Sequence, residues 1–258
     1  MDLIFFDFSL STLLILTSVA FLAGIIDAIA GGGGLITVPV LLFSGVEPAQ
    51  ALATNKLQGC AGTLSASYHF IKRRKVNLKA LRPAIIMTAI GSVLGTILVA
   101  YLDSSLLLKA VPIILILVAV FFLFLNKLQP LISSKVQLTS FAFAVIIGSL
   151  FGFYDGLIGP GTGAFFTTAY LCFTGVNLIT ATANTKVLNA TSNLASLFIF
   201  AFTGHVLWGL GLCMAAGQWL GAQIGSRLVV TKGNLLIRPM VITMCLLMSA
   251  KLIHANWF

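Results

Sequence analysis

Gly45-Val46, followed by Ala51-Leu52-Ala53-Thr54-Asn55-Lys56, recurs 130 positions later as Gly175-Val176 and Ala181-Thr182-Ala183-Asn184-Thr185-Lys186. The same register carries Lys75-Val76 onto His205-Val206, and Gly91 and Gly95 onto Gly221 and Gly225. Upstream, Gly24-Ile25-Ile26-Asp27 matches Gly152-Phe153-Tyr154-Asp155 at an offset of 128, so two residues shift inside the glycine-rich turn that follows. The chain is therefore written twice, and each copy sets a lysine inside an otherwise apolar stretch. A duplicated apolar unit with matched internal charges is how many secondary transporters are built.

Composition fixes the surroundings of the chain. Of 258 residues, 59% are hydrophobic and 8% charged, whereas a soluble domain carries roughly a quarter charged residues. The apolar runs are continuous rather than alternating, which indicates spanning helices and not barrel strands. Met1-Asp2-Leu3 has no positive n-region, so the first apolar run is expected to be a retained span and not a cleaved signal. The net charge of +9 does not indicate a nucleic-acid partner, because the cations cluster between the apolar runs, where they set topology.

Hydropathy places helices near 8–30, 35–44, 48–70, 78–101 and 106–125, and again near 137–158, 163–174, 178–203, 207–229 and 234–253. The expected fold is an all-α, multi-pass helical bundle of two repeats with five elements each. Its parts are a first repeat over 1–126, a cytoplasmic linker over 127–136 and a second repeat over 137–258. The second element of each repeat is too short to cross a hydrocarbon core of about 30 Å upright. Each follows a glycine-rich break, Gly31 to Gly34 or Gly159-Pro160-Gly161-Thr162-Gly163, so both read as half-helices.

Lys72, Arg73, Arg74, Lys75, Lys79 and Arg82 share one loop, Lys127 and Lys135 lie in the linker, and Arg227, Lys232 and Arg238 lie in the last loop. Five crossings per repeat bring all three regions to one side, the cytoplasm by the positive-inside rule, and turn the second repeat upside down relative to the first. Re-entrant short elements would instead give four crossings and move the last group outside.

A lysine at mid-bilayer costs about 2.5 kcal/mol or more unless it faces a partner or a cavity. Lys56 and Lys186 could snorkel to an interface, but recurrence and polar surroundings favour a cavity. Asn55, Gly59 and Thr63 share one helical face, as do Lys186, Asn189 and Asn193, with Thr54, Gln58, Asn184, Thr185 and Ser192 nearby. Ammonium and amide donors in low dielectric suit an anion. The breaks add backbone N–H groups at helix starts, through Gly32, Gly33, Gly161 and Thr162. Asp27 and Asp155 could carry a coupling proton or cation, pair with a lysine, or cap the broken backbone.

The Gly91/Gly95 and Gly217/Gly221/Gly225 ridges read as helix packing, with Gln218, Trp219 and Gln223 as weaker pathway candidates. Cys60, Cys172, Cys213 and Cys245 show no metal or redox spacing, and His69, His205 and His254 no catalytic context. No enzyme motif, metal site or cofactor site is indicated.

The block Gly24-Ile-Ile-Asp-Ala-Ile-Ala-Gly-Gly-Gly-Gly-Leu-Ile-Thr-Val-Pro39, with Ala53-Thr54-Asn55-Lys56 and its echo Asn184-Thr185-Lys186, resembles the sulfite exporter TauE/SafE family of bacterial membrane proteins. The resemblance covers about residues 10 to 253. It implies a secondary transporter of the bacterial inner membrane that moves a small anion, such as sulfite, a sulfonate or another organosulfur compound. It also implies coupling to an ion gradient, through protons or sodium. The residues themselves leave a rival open, a membrane-embedded enzyme or an assembly protein that transports nothing.

Overall fold

The computed structural model describes residues 4–5, 8–111, 113–114, 116–118, 120 and 137–232. The expected linker over 127–136 and the tenth element over 234–253 lie outside the described residues, as do Cys245 and His254. A two-residue ribbon, β1 (Ile4–Phe5) with β2 (Phe8–Ser9), precedes the helices.

The first copy folds as α1 (Leu10–Ala30), α2 (Gly34–Phe43), α3 (Pro48–Lys72), α4 (Leu78–Ala100) and α5 (Ser104–Val118). The second folds as α6 (Ser140–Leu157, with one π-helical stretch at Ala144–Gly148), α7 (Thr162–Phe173), α8 (Leu178–Thr203) and α9 (Trp208–Lys232). Local chemistry sets the boundaries. Ser9, Asn77, Thr139 and Asn177 accept a backbone N–H of the first turn they precede, and Pro48 opens α3, where its missing N–H costs nothing. Gly31 ends α1 in the left-handed conformation with φ 77°, a state open to glycine at little cost.

Two apolar clusters lie at opposite ends of α3. One gathers Leu13 and Leu16 of α1, Leu41 of α2, Ala51 of α3 and Leu210 of α9. The other gathers Leu81 of α4, Phe143 of α6, Tyr170 of α7 and Ala181 of α8, and Ile71 near the end of α3 packs on it. At ten and twelve residues, α2 and α7 are only about 15 and 18 Å long. Even so, α2 brings the chain back to the end where α1 begins, and α7 does the same for α6. The charges divide between these ends. Arg227 lines a hollow with Lys72 and Arg73 at one, and the Ser104 hydroxyl donates to the Glu47 carboxylate at the other.

The two copies interlace. Gly91 and Gly95 set α4 against the Ser149 and Phe153 carbonyls of α6, and Gly217, Gly221 and Gly225 set α9 against the Thr17, Phe21 and Ile25 carbonyls of α1. In each case a Cβ would overlap the facing carbonyl oxygen, so the ridges expected to pack do pack, backbone to backbone. The fourth helix of each copy thus lies on the first helix of the other. Between these pairs α3 crosses α8, with Asn193 packed over Gly59, where a Cβ would lie 3.1 Å from the amide nitrogen, and that amide donating to Thr63 Oγ1 at 3.5 Å.

Candidate functional site

The two chain breaks meet at the centre of this lattice, where Gly31 lies against Gly163 so closely that neither tolerates a Cβ. Each break is organised by the aspartate four residues before it. Asp27 Oδ1 accepts the Gly33 N–H at 3.1 Å, which ties the start of α2 to the end of α1. Asp155 Oδ1 accepts the Thr162 hydroxyl at 3.1 Å, which does the same for α7 and α6. Gly159 and Gly161 turn the second break with φ 92° and 86°, and the Tyr154 hydroxyl donates to the Pro160 carbonyl at 2.7 Å.

The lysines answer from the opposite copies. Lys56 of α3 donates to Asp155 Oδ1 at 2.9 Å and to the Asp155 main-chain carbonyl. Lys186 of α8 lies 3.4 Å from Asp27 Oδ2 and donates to the Asp27 main-chain carbonyl. Both lysines are 1% exposed, so neither snorkels. An unpaired ion taken out of water costs several kcal/mol, and these two are paired with a carboxylate and a helix-terminal carbonyl each. Because α1 and α6 end at the breaks, the ammoniums occupy the negative end of each helix dipole; the Asp27 carbonyl also accepts the Gly31 N–H at 2.8 Å. The four charges sum to zero.

Beside the pairs lies a cavity of about 30 Å³, lined by Asp27, Asp155, Asn55, Asn189, Asn193 and Gln218, among others. Gly31, Gly159, Gly161 and Thr162 bring the broken backbone to its wall. At about 10–15 Å³ per water it accommodates two or so. A four-heavy-atom anion is larger than this space and needs the walls to part. The side-chain oxygens of Asn189 and Gln218 are buried without a hydrogen-bond partner. Rotating either amide by half a turn would present N–H donors there, which is the group an anion needs.

The sequence-predicted residues divide into three groups. Asp27, Asp155, Asn55, Asn189, Gly161 and Thr162 line the cavity. Lys56, Lys186 and the Gly33 N–H stand behind them on the carboxylates and do not belong to that lining. Thr54 points elsewhere, accepting the Leu207 N–H at 3.2 Å. Thr185 accepts the Thr167 hydroxyl at 3.2 Å, Asn184 is half-buried outside the cavity wall, and Gly32 contributes a carbonyl to Leu35. Position for position, Thr167 on Thr185 repeats Thr37 on Asn55, a 2.7 Å bond, so the copies share this tie of short helix to long one. Gln218, weighted low from sequence, lines the cavity because Gly62 of α3 lets it approach, with a Cβ there only 2.7 Å from its Cγ. The copies also differ. Ser192 donates to Asp155 Oδ2, whereas the matching position in α3 is Gly62. The thiols of Cys60, Cys172 and Cys213 are free.

Comparison with known proteins sets this geometry in a family. The model of the sulfite exporter TauE/SafE family matches residues 16–252. The chain is 46% identical over 240 residues, 93% of its length and 89% of the relative's, to the "Probable membrane transporter protein YfcA" of Escherichia coli (strain K12). It is 45% identical over 253 residues, 98% of its length and 99% of the relative's, to a "Probable membrane transporter protein" of Haemophilus influenzae. A more distant relative is the "Probable membrane transporter protein YunE" of Bacillus subtilis, 24% identical over 271 residues, covering 95% of this chain and 98% of the relative. No solved structure matches the chain. The chain belongs to the sulfite exporter TauE/SafE family, and it is a membrane transporter and not an enzyme.

Proposed function

We propose that the protein is a secondary transporter of the bacterial inner membrane that moves a small anion by alternating access between two inverted repeats. Sulfite, a sulfonate or another organosulfur compound is the substrate class, on the strength of the family. The observation that carries this reading is the crossed pairing Lys56–Asp155 and Lys186–Asp27, which joins the copies around one polar cavity. Inversion is supported by the apolar clusters. The first helix, second helix and third helix of each copy meet at one end, and that end is opposite for the two copies. The grouping of Arg227 with Lys72 and Arg73 supports a cytoplasmic assignment for that end.

Charge balance gives a coupling rule. An anion added to a neutral, buried site leaves a net charge that low dielectric penalises heavily. For a monoanion such as bisulfite or a sulfonate, a proton taken up with it by Asp27 or Asp155 neutralises that carboxylate, frees its lysine for the anion and keeps the sum at zero. Asp155 is faced by Lys56, Thr162 and Ser192, and Asp27 by Lys186 and the Gly33 N–H, so each lysine is the group that changes partner. Proton and anion then move together. Proteoliposomes given labelled sulfite and methanesulfonate under an imposed pH gradient test this. Accumulation in wild type and its loss in Lys186→Gln are expected, and equal accumulation in both overturns the site.

A further inference from the structure

On α3, Leu64, Tyr68 and Lys72 recur every fourth residue, and on α9 Trp219, Gln223 and Arg227 do the same. Each set forms one ridge along its helix. The helices run side by side in the same direction, with Gly62 against Gln218 and the Ser65 hydroxyl donating to the Trp219 carbonyl at 3.4 Å. The ridges border a groove of about 410 Å³. Its chemistry changes along its length. Leu64 and Trp219 stand at one end, Tyr68 and Gln223 in the middle, and Lys72 and Arg227 at the other. Past the cations, His69, Lys72, Arg73 and Arg227 line a hollow of about 450 Å³. Among the described residues, no aspartate or glutamate lines either space.

We propose that this groove is a binding site for an anionic phospholipid. Its phosphate is held by Lys72, Arg73 and Arg227, and an acyl chain runs along Leu64, Tyr68 and Trp219. Leu64, Tyr68 and Trp219 are 44%, 65% and 47% exposed, an apolar face that an acyl chain would cover. The apolar-to-cationic order matches the order from acyl chain to headgroup. Basic pockets between spanning helices are suited to anionic headgroups. A free anion would use the hollow and gain nothing from the aromatic groove. The site is confined to one end of the molecule. The positions matching Lys72, Arg73 and Arg227 in the other copy are Phe202, Thr203 and Ile97, and none carries charge. The site therefore serves one leaflet.

The test compares phosphatidylglycerol, phosphatidylcholine and inorganic phosphate by native mass spectrometry and thermal unfolding of the protein in a neutral detergent. Phosphatidylglycerol is expected to be retained over phosphatidylcholine and to raise the unfolding temperature, while inorganic phosphate does neither. At about fivefold per cation, the Lys72→Gln/Arg227→Gln double variant loses roughly 25-fold of that preference. Lys79→Gln, an exposed cation of α4 outside the groove, keeps it. Should the double variant fail to fold, Lys72→Gln alone is read, with a loss of roughly fivefold. Equal retention of the two lipids by wild type, an undiminished preference in the Lys72 variants, or equal stabilisation by inorganic phosphate each overturns the proposal.

Discussion

The Lys56 ammonium of α3 lies 2.9 Å from the Asp155 carboxylate of α6, and its positional equivalent, Lys186 of α8, lies 3.4 Å from Asp27 of α1. Each copy thus lends its lysine to the other copy's aspartate. Removing one partner strands a buried charge, which typically costs about 3–5 kcal/mol, whereas removing both charges together costs far less. Lys56→Gln is therefore expected to lower the unfolding temperature sharply in detergent, and Lys56→Gln/Asp155→Asn to recover most of the loss. A double variant no more stable than the single one would mean that the pair does not hold the fold as described.

The glycine ridges give a second test. A methyl group at Gly221 meets the Phe21 carbonyl oxygen, and one at Gly95 meets that of Phe153. Since backbone cannot swing aside as a side chain does, Gly221→Ala and Gly95→Ala are expected to destabilise by about 1–3 kcal/mol, as overpacking does. Gly45→Ala isolates the backbone term, because nothing lies near it yet its φ is 82°. Its cost is strain alone, about 1–2 kcal/mol. Thermal unfolding of the three variants checks both figures.

The cavity wall predicts a split among the amides. Asn189→Ala and Gln218→Ala remove side chains that border the cavity, so both are expected to raise the KM for anion uptake several-fold with little loss of stability. Asn184→Ala lies off the wall and is expected to leave KM unchanged. Equal effects in all three would show that the amides act through general packing.

Much of this architecture is legible in the sequence, for physical reasons. Helix boundaries follow from the glycine breaks, the capping side chains and the apolar runs, all local signals. The lysines are conspicuous because charge is costly in an apolar run, and the ridges because small residues recur every four positions. The partners of the lysines are hidden, since Asp155 and Asp27 are 99 and 159 residues away along the chain and only the interlaced packing of the copies unites them. Thr54 and Asn55 show the limit of composition. They are adjacent, yet a helix turns about 100° per residue, so Asn55 faces the cavity and Thr54 faces Leu207. Gln218 stands out little in the sequence because its place depends on how closely α9 approaches Gly62.

The measurement that bears most directly on the charge-balanced site is simultaneous recording of labelled sulfite or methanesulfonate uptake and internal pH in proteoliposomes under an inward proton gradient. Wild type should accumulate the anion with matching internal acidification, and folded Lys56→Gln/Asp155→Asn protein should do neither. Uptake that ignores the proton gradient, or a double variant that transports at the wild-type rate, would contradict the account.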